Sequence, residues 1–146
     1  MTIRLDMRRV VTKAGDALAD STDAVRQFFC RHVCDDGGFE GRDGHSDLYY
    51  TDLGLEVSTA FDARVPYERV ADYLGRFGVG YRLDLVHLAS LIRCRANMAD
   101  HLGTQIDRDM REAMTVRLMQ FQCADGGFST SVGAARGHVY GSFLAL

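Results

Sequence analysis

Apolar residues along this chain recur at spacings of three and four. Met7, Val10, Val11, Ala14 and Leu18 form one such stripe and predict a helix within residues 1–20. Ser21, Thr22 and Asp23 then offer N-caps for a second helix, from Asp23 to about Cys34. That helix is predicted to stop at Asp36-Gly37-Gly38, because two glycines make continuation costly and permit positive φ. After a loop through Gly41, Asp43 and Gly44, Asp47 is placed to cap a third helix carrying Leu48, Tyr49, Leu53, Leu55, Val57 and Phe61. Pro66 suits the first turn of a fourth helix with Val70, Tyr73, Leu74 and Phe77, ended by Gly78-Val79-Gly80. A fifth helix is predicted from about Arg82 to Met98, a sixth from near Asp107 to Cys123, and a seventh from His138 to Leu146. No segment has the alternation of a half-buried strand, so the pattern predicts an all-α chain.

Composition narrows the class. With 146 residues, 47% of them apolar, the chain can bury one sizeable core and reads as a single domain. Charged residues make up 25% and the net charge is −3, with both signs interspersed, so nothing draws the chain to a nucleic-acid backbone. Lys13 is the one basic residue of the seventeen that is not arginine, a bias that a GC-rich genome would also produce. Arg4, Asp6, Arg8, Arg9 and Lys13 interrupt any signal-peptide core, and no window approaches the roughly 18 to 20 apolar residues of a membrane span. Cys30, Cys34, Cys94 and Cys123 form no spaced framework, which makes a reducing cytoplasm the expected location.

The most informative feature is an internal repeat. Phe29 to Phe39 ends in Cys34-Asp35-Asp36-Gly37-Gly38-Phe39, and Leu118 to Phe128 ends in Cys123-Ala124-Asp125-Gly126-Gly127-Phe128. Each copy is a helix end, Asp-Gly-Gly-Phe, a polar Gly-containing loop and a Tyr-bearing helix. Asp36 and Asp125 lie 89 residues apart, room for two helical hairpins, the intervening one having Gly78-Val79-Gly80 in place of the motif. The glycines allow a sharp turn, the aspartate can accept from nearby backbone amides, and the phenylalanine can fill the gap between hairpins, contributing on the order of 2 kcal/mol. Asp36 and Asp125 are therefore read as loop staples.

Asp-Gly-Gly-Phe followed by Glu40-Gly41-Arg42-Asp43-Gly44-His45-Ser46-Asp47-Leu48-Tyr49-Tyr50-Thr51 resembles the repeat of protein-prenyltransferase β subunits and squalene-cyclase-type enzymes. Gly126-Gly127-Phe128 through Gly137-His138-Val139-Tyr140 is similar to another repeat of that family. The resemblance spans residues 22–146. It implies an α/α toroid of concentric inner and outer helices around an apolar cavity for an isoprenoid chain. The helices opening at Asp47 and His138 would then be inner ones. It also implies Arg42, His45, Tyr50, His138 and Tyr140 as counterparts of the diphosphate-binding side chains. About five or six hairpins close the family's ring, and roughly three are counted here. The chain stops within the apolar run Phe143-Leu144-Ala145-Leu146. The reading is thus a partial barrel, the N-terminal half of a longer toroid or one copy of a homodimer.

Departures from the family define what is not expected. Neither the Asp-x-Cys zinc pair nor the Asp-x-Asp-Asp of protonating cyclases occurs, and Tyr50 stands where the family's zinc histidine would be. No cofactor is evident, and zinc would need ligands outside this chain. Cys30, His32 and Cys34 lack zinc-finger spacing and read as packed thiols beside a histidine. Asp52 and Glu56, four apart on one helix face, are candidates for acid–base chemistry, as are Asp84 and His87, three apart. Tyr49 and Tyr50 must point in different directions. Two functions remain: an isoprenoid-handling protein of transferase or cyclase type, or a non-catalytic helical-repeat scaffold.

Overall fold

In a computed structural model the described residues are Val10 and residues 19–145, so the helix predicted within residues 1–20 lies almost wholly outside them. A short 3-10 turn, Ala19–Ser21, leads into α1 (Thr22–Arg31). There follow β1 (Phe39–Glu40), β2 (Ser46–Asp47), α2 (Leu48–Phe61), α3 (Tyr67–Gly75), α4 (Leu85–Leu102), α5 (Arg108–Met119) and α6 (Val139–Ala145). The chain is mostly helical, as its periodicity predicts.

The differences from prediction lie at helix ends and in one short strand pair. α1 stops at Arg31, three residues short of Cys34, because Val33 leaves the helix to bridge Phe39 and the Glu40 N–H donates to the His32 carbonyl at 2.8 Å. α5 stops at Met119 for the same reason: Gln122 bridges Phe128, and the Ser129 N–H donates to the Phe121 carbonyl at 3.0 Å. Loop pairing outcompetes one further helical turn in both places. An antiparallel pair, Phe39 with Asp47 and Glu40 with Ser46, corrects the expectation of no strand. Two-residue strands are too short to leave an alternating pattern. α4 starts at Leu85 because Asp84 is extended and caps it, and it runs on to Leu102, where Gly103 takes the left-handed conformation.

The described residues fall into two compact units, divided between Val70 and Ala71 within α3. In the first, α1 packs on α2, and Phe39, Leu48, Leu55 and Val70 are buried. In the second, α5 and α6 each pack on α4, and Leu85, Leu88 and Phe121 form a core against which Leu83, Ile92, Leu118 and Phe128 pack.

The arginine bias has a structural use. Arg26 donates to the Phe61 carbonyl at 2.6 Å, Arg93 to Leu144 at 2.7 Å, Arg95 to Leu74 and Gly78 at 3.0 Å, and Arg117 to Leu83 at 3.0 Å. Carbonyls at helix ends and in loops lack intrahelical partners, and a guanidinium offers several donors in a fixed fork. Arg117 also lies 4.8 Å over the Phe121 ring.

Gly37 and Gly126 occupy equivalent places, both with positive φ, but differ in surroundings. A Cβ on Gly37 would overlap the backbone of Arg69 and Val70, whereas one on Gly126 meets nothing within 4 Å. Gly126→Ala is expected to cost about 1 kcal/mol from backbone strain alone. Gly37→Ala is expected to cost ~3 kcal/mol or more, since backbone must also move. Urea unfolding of the two variants checks this; equal losses would contradict it.

Candidate functional site

The two Asp-Gly-Gly-Phe loops build nearly the same hydrogen-bonded structure. In the first, Asp36 Oδ1 accepts from the Gly38 N–H at 3.1 Å and from the Ser46 hydroxyl. In the second, Asp125 accepts from the Gly127 N–H at 3.0 Å and from the Gly137 N–H at 3.1 Å. Cys34 N–H to Gly38 O and Cys123 N–H to Gly127 O both measure 2.8 Å, and the tight turns closed by Gly37 and Gly126 both measure 3.0 Å. In each copy the aspartate ties the turn to the far side of its loop.

A further feature joins each loop to the helix after it. The Phe39 N–H donates to Thr51 Oγ1 at 2.9 Å, and that hydroxyl donates onward to the Asp47 carbonyl at 2.7 Å. The Phe128 N–H donates to Ser142 Oγ at 3.1 Å, while the His138 N–H returns to the Phe128 carbonyl at 2.9 Å. Thr51 and Ser142 were not singled out from sequence, although each stands four residues after the residue that opens its helix. The intervening helix has Leu88 at that place after Asp84, matching its loss of the motif. Thr51 and Ser142 are 91 residues apart, so the second loop is two residues longer. Tyr140 therefore corresponds to Tyr49 and His138 to Asp47, a register the ungapped 89-residue offset conceals.

The candidate anion ligands divide between two roles. Arg42 and Tyr50 come together, with Arg42 Nε donating to the tyrosine oxygen at 2.9 Å at the surface. His45 is exposed in the same loop, where its N–H meets Asp43 Oδ1 at 3.2 Å. His138 acts as a cap: its Nδ1 accepts from the Gly141 N–H at 2.9 Å, as Asp47 Oδ1 does from Tyr49 and Tyr50 at 2.8 and 3.1 Å. The Tyr140 ring stacks near His138, with centroids 6.5 Å apart. Tyr49 and Tyr50 meet edge to face and diverge, as adjacency requires.

Asp52 is buried on α2 and Glu56 half-buried one turn on. Asp84 caps α4, its Oδ1 accepting from the His87 N–H at 2.9 Å and meeting His87 Nδ1 at 2.9 Å. Partial burial pushes the Asp84 carboxyl up. The His87 N–H, the His87 ring and charge, and the Val86 N–H outweigh that and hold it below the ordinary aspartate range.

The Cys30, His32 and Cys34 side chains do not form one packed group. Cys30 is exposed with its Sγ 3.4 Å from the Arg64 carbonyl, His32 Nδ1 lies 2.7 Å from the Phe28 carbonyl, and Cys34 is half-buried, while Cys123 is buried. Among the described residues no three His, Cys, Asp or Glu side chains are placed to hold a metal ion. A shallow groove of about 330 Å³ in the second unit is bordered by Tyr81, Glu112, Val116 and Arg117, and none of the candidate residues lines it.

Asp84→Ala is expected to cost about 1 kcal/mol at neutral pH through loss of the cap. The carboxyl is lowered in the folded chain, so its contribution is full above its unfolded value and is lost as pH falls through the folded one. Urea unfolding should therefore show the gap between parent and variant closing in acid. A gap that stays constant or widens would contradict the assignment.

Comparisons with protein-family models, with curated proteins and with solved structures give no match to this chain.

Proposed function

We propose that the chain forms part of an α/α toroid of the prenyltransferase β-subunit and terpene-cyclase kind. In this reading, the helices opening after the Asp-Gly-Gly-Phe loops present apolar faces to an isoprenoid chain. The observation that carries it is the recurrence of an exposed aromatic at one place beyond one staple: Tyr49 on α2 is 37% exposed, and its counterpart Tyr140 on α6 is 51% exposed. Each has exposed apolar company on its own helix, Leu53 in the first case and Val139 and Phe143 in the second. A large aromatic left uncovered at the same place in both copies, with further exposed apolar side chains beside it, suits helices that line a cavity. Arg42 and Tyr50 supply donors of the kind a diphosphate needs. The reading is one of binding and assigns no reaction.

A second reading, a non-catalytic repeat scaffold, is favoured by one specific observation. His138, Asp84 and His87 are engaged in capping, which any stacked helical repeat would need.

Titration calorimetry with a C15 or C20 isoprenoid diphosphate separates them. The binding reading predicts a one-to-one complex, weakened about tenfold or more by Arg42→Ala through loss of a charge-assisted bond. It also predicts that inorganic diphosphate binds far less well than the prenylated ligand. A folded chain that takes up neither ligand would leave the scaffold reading in place.

A further inference from the structure

His138 differs from the other caps in one chemical respect. Asp47, Asp84 and Asp107 each bring a carboxylate to the amides of the first turn, and a carboxylate remains an acceptor throughout the neutral range. His138 brings an imidazole, and both ring nitrogens face backbone donors: the Gly141 N–H lies 2.9 Å from Nδ1 and the Thr130 N–H 3.4 Å from Nε2. A neutral ring can accept at one nitrogen, and the shorter contact assigns the bare lone pair to Nδ1. An imidazolium carries a proton on each nitrogen and can accept at neither.

We propose that His138 is a proton-sensitive latch: the neutral ring caps the first turn of α6 by accepting the Gly141 N–H at Nδ1, and proton uptake releases that turn. The charged and titratable groups around it leave this chemistry in place. From the loop, Asp125 is engaged by the N–H groups of Gly127 and Gly137, next to His138, while Arg136 is exposed two residues before it. From α6, the Tyr140 ring stacks with only 8° between planes. From α4, which packs on α6, Arg93 reaches the far end of the helix at the Leu144 carbonyl. No carboxylate contact to the His138 ring is present among the described residues to reward the charged form. The first loop is a control within the same chain, because Asp47 stands where His138 does.

Amide hydrogen exchange of the full chain, read by NMR between pH 5 and 8 and corrected for intrinsic rates, tests the latch. Protection of the Gly141 amide should fall about fivefold relative to that of Tyr50, which Asp47 caps, as the imidazole protonates. In His138→Asp the Gly141 protection should lose this step. Gly141 and Tyr50 changing in parallel in the parent chain, or the step surviving in His138→Asp, would overturn the proposal. Ring 15N shifts give a measurement that needs no variant: in the neutral ring a bare Nδ1 is expected, and a protonated Nδ1 with bare Nε2 would overturn the proposal.

Discussion

The Phe39 backbone N–H is buried, and it must find an acceptor away from water. An unmatched buried amide costs about 1–3 kcal/mol, a large share of the stability of a small domain. In this chain the acceptor is a side-chain hydroxyl on the helix that follows, Thr51, whose O–H donates in turn to the Asp47 carbonyl. One chain of bonds thus links the loop's phenylalanine, the start of α2 and the cap residue. With that link made, the Phe39 ring packs closely on Gly54 and the aspartate closes the turn behind it. The second copy repeats the solution with Ser142 and Phe128. The intervening segment has Leu88 where a hydroxyl would stand and no Asp-Gly-Gly-Phe to satisfy. Motif and hydroxyl come and go together.

This constraint bears on function through direction. A loop tied at both ends fixes how the next helix departs from it. Tyr49 and Tyr140 are uncovered at equivalent positions, and the proposed isoprenoid-binding role rests on that recurrence. The candidate polar residues show how the same machinery absorbs chemistry. His138 and Asp84 are residue types that suit ligand binding or proton transfer, yet each caps the amides of a helix's first turn, and the His87 ring meets the Asp84 carboxylate. Arg42 and Tyr50 stand apart, since their mutual bond is at the surface and caps no helix.

Much of the helical fold was legible because apolar periodicity and capping residues agree. Asp47 caps the helix it is expected to cap, α5 opens beside Asp107 where the periodicity places its start, and Gly103 shows why α4 outruns its predicted end. The ends of α1 and α5 were illegible locally. Residues 32–34 and 120–123 contain no glycine or proline to end a helix, and pairing with residues several places on draws them out of it. The staple role of the aspartates followed from the known reach of a short carboxylate to amides two residues on. The hydroxyl link was missed for a different reason. A threonine or serine within a helix normally bonds its own preceding turn, and nothing local marks one that also takes an amide from twelve or fourteen residues earlier. The two-residue difference in loop length further hid the correspondence of His138 with Asp47.

Unfolding in urea of Thr51→Val against Thr51→Ser tests the central constraint most directly. Valine matches threonine in shape and removes only the hydroxyl, while serine keeps it. The Phe39 N–H would be left buried without its acceptor, so Thr51→Val should lose about 2 kcal/mol and Thr51→Ser markedly less. A valine variant as stable as the parent, or more stable, would contradict the account.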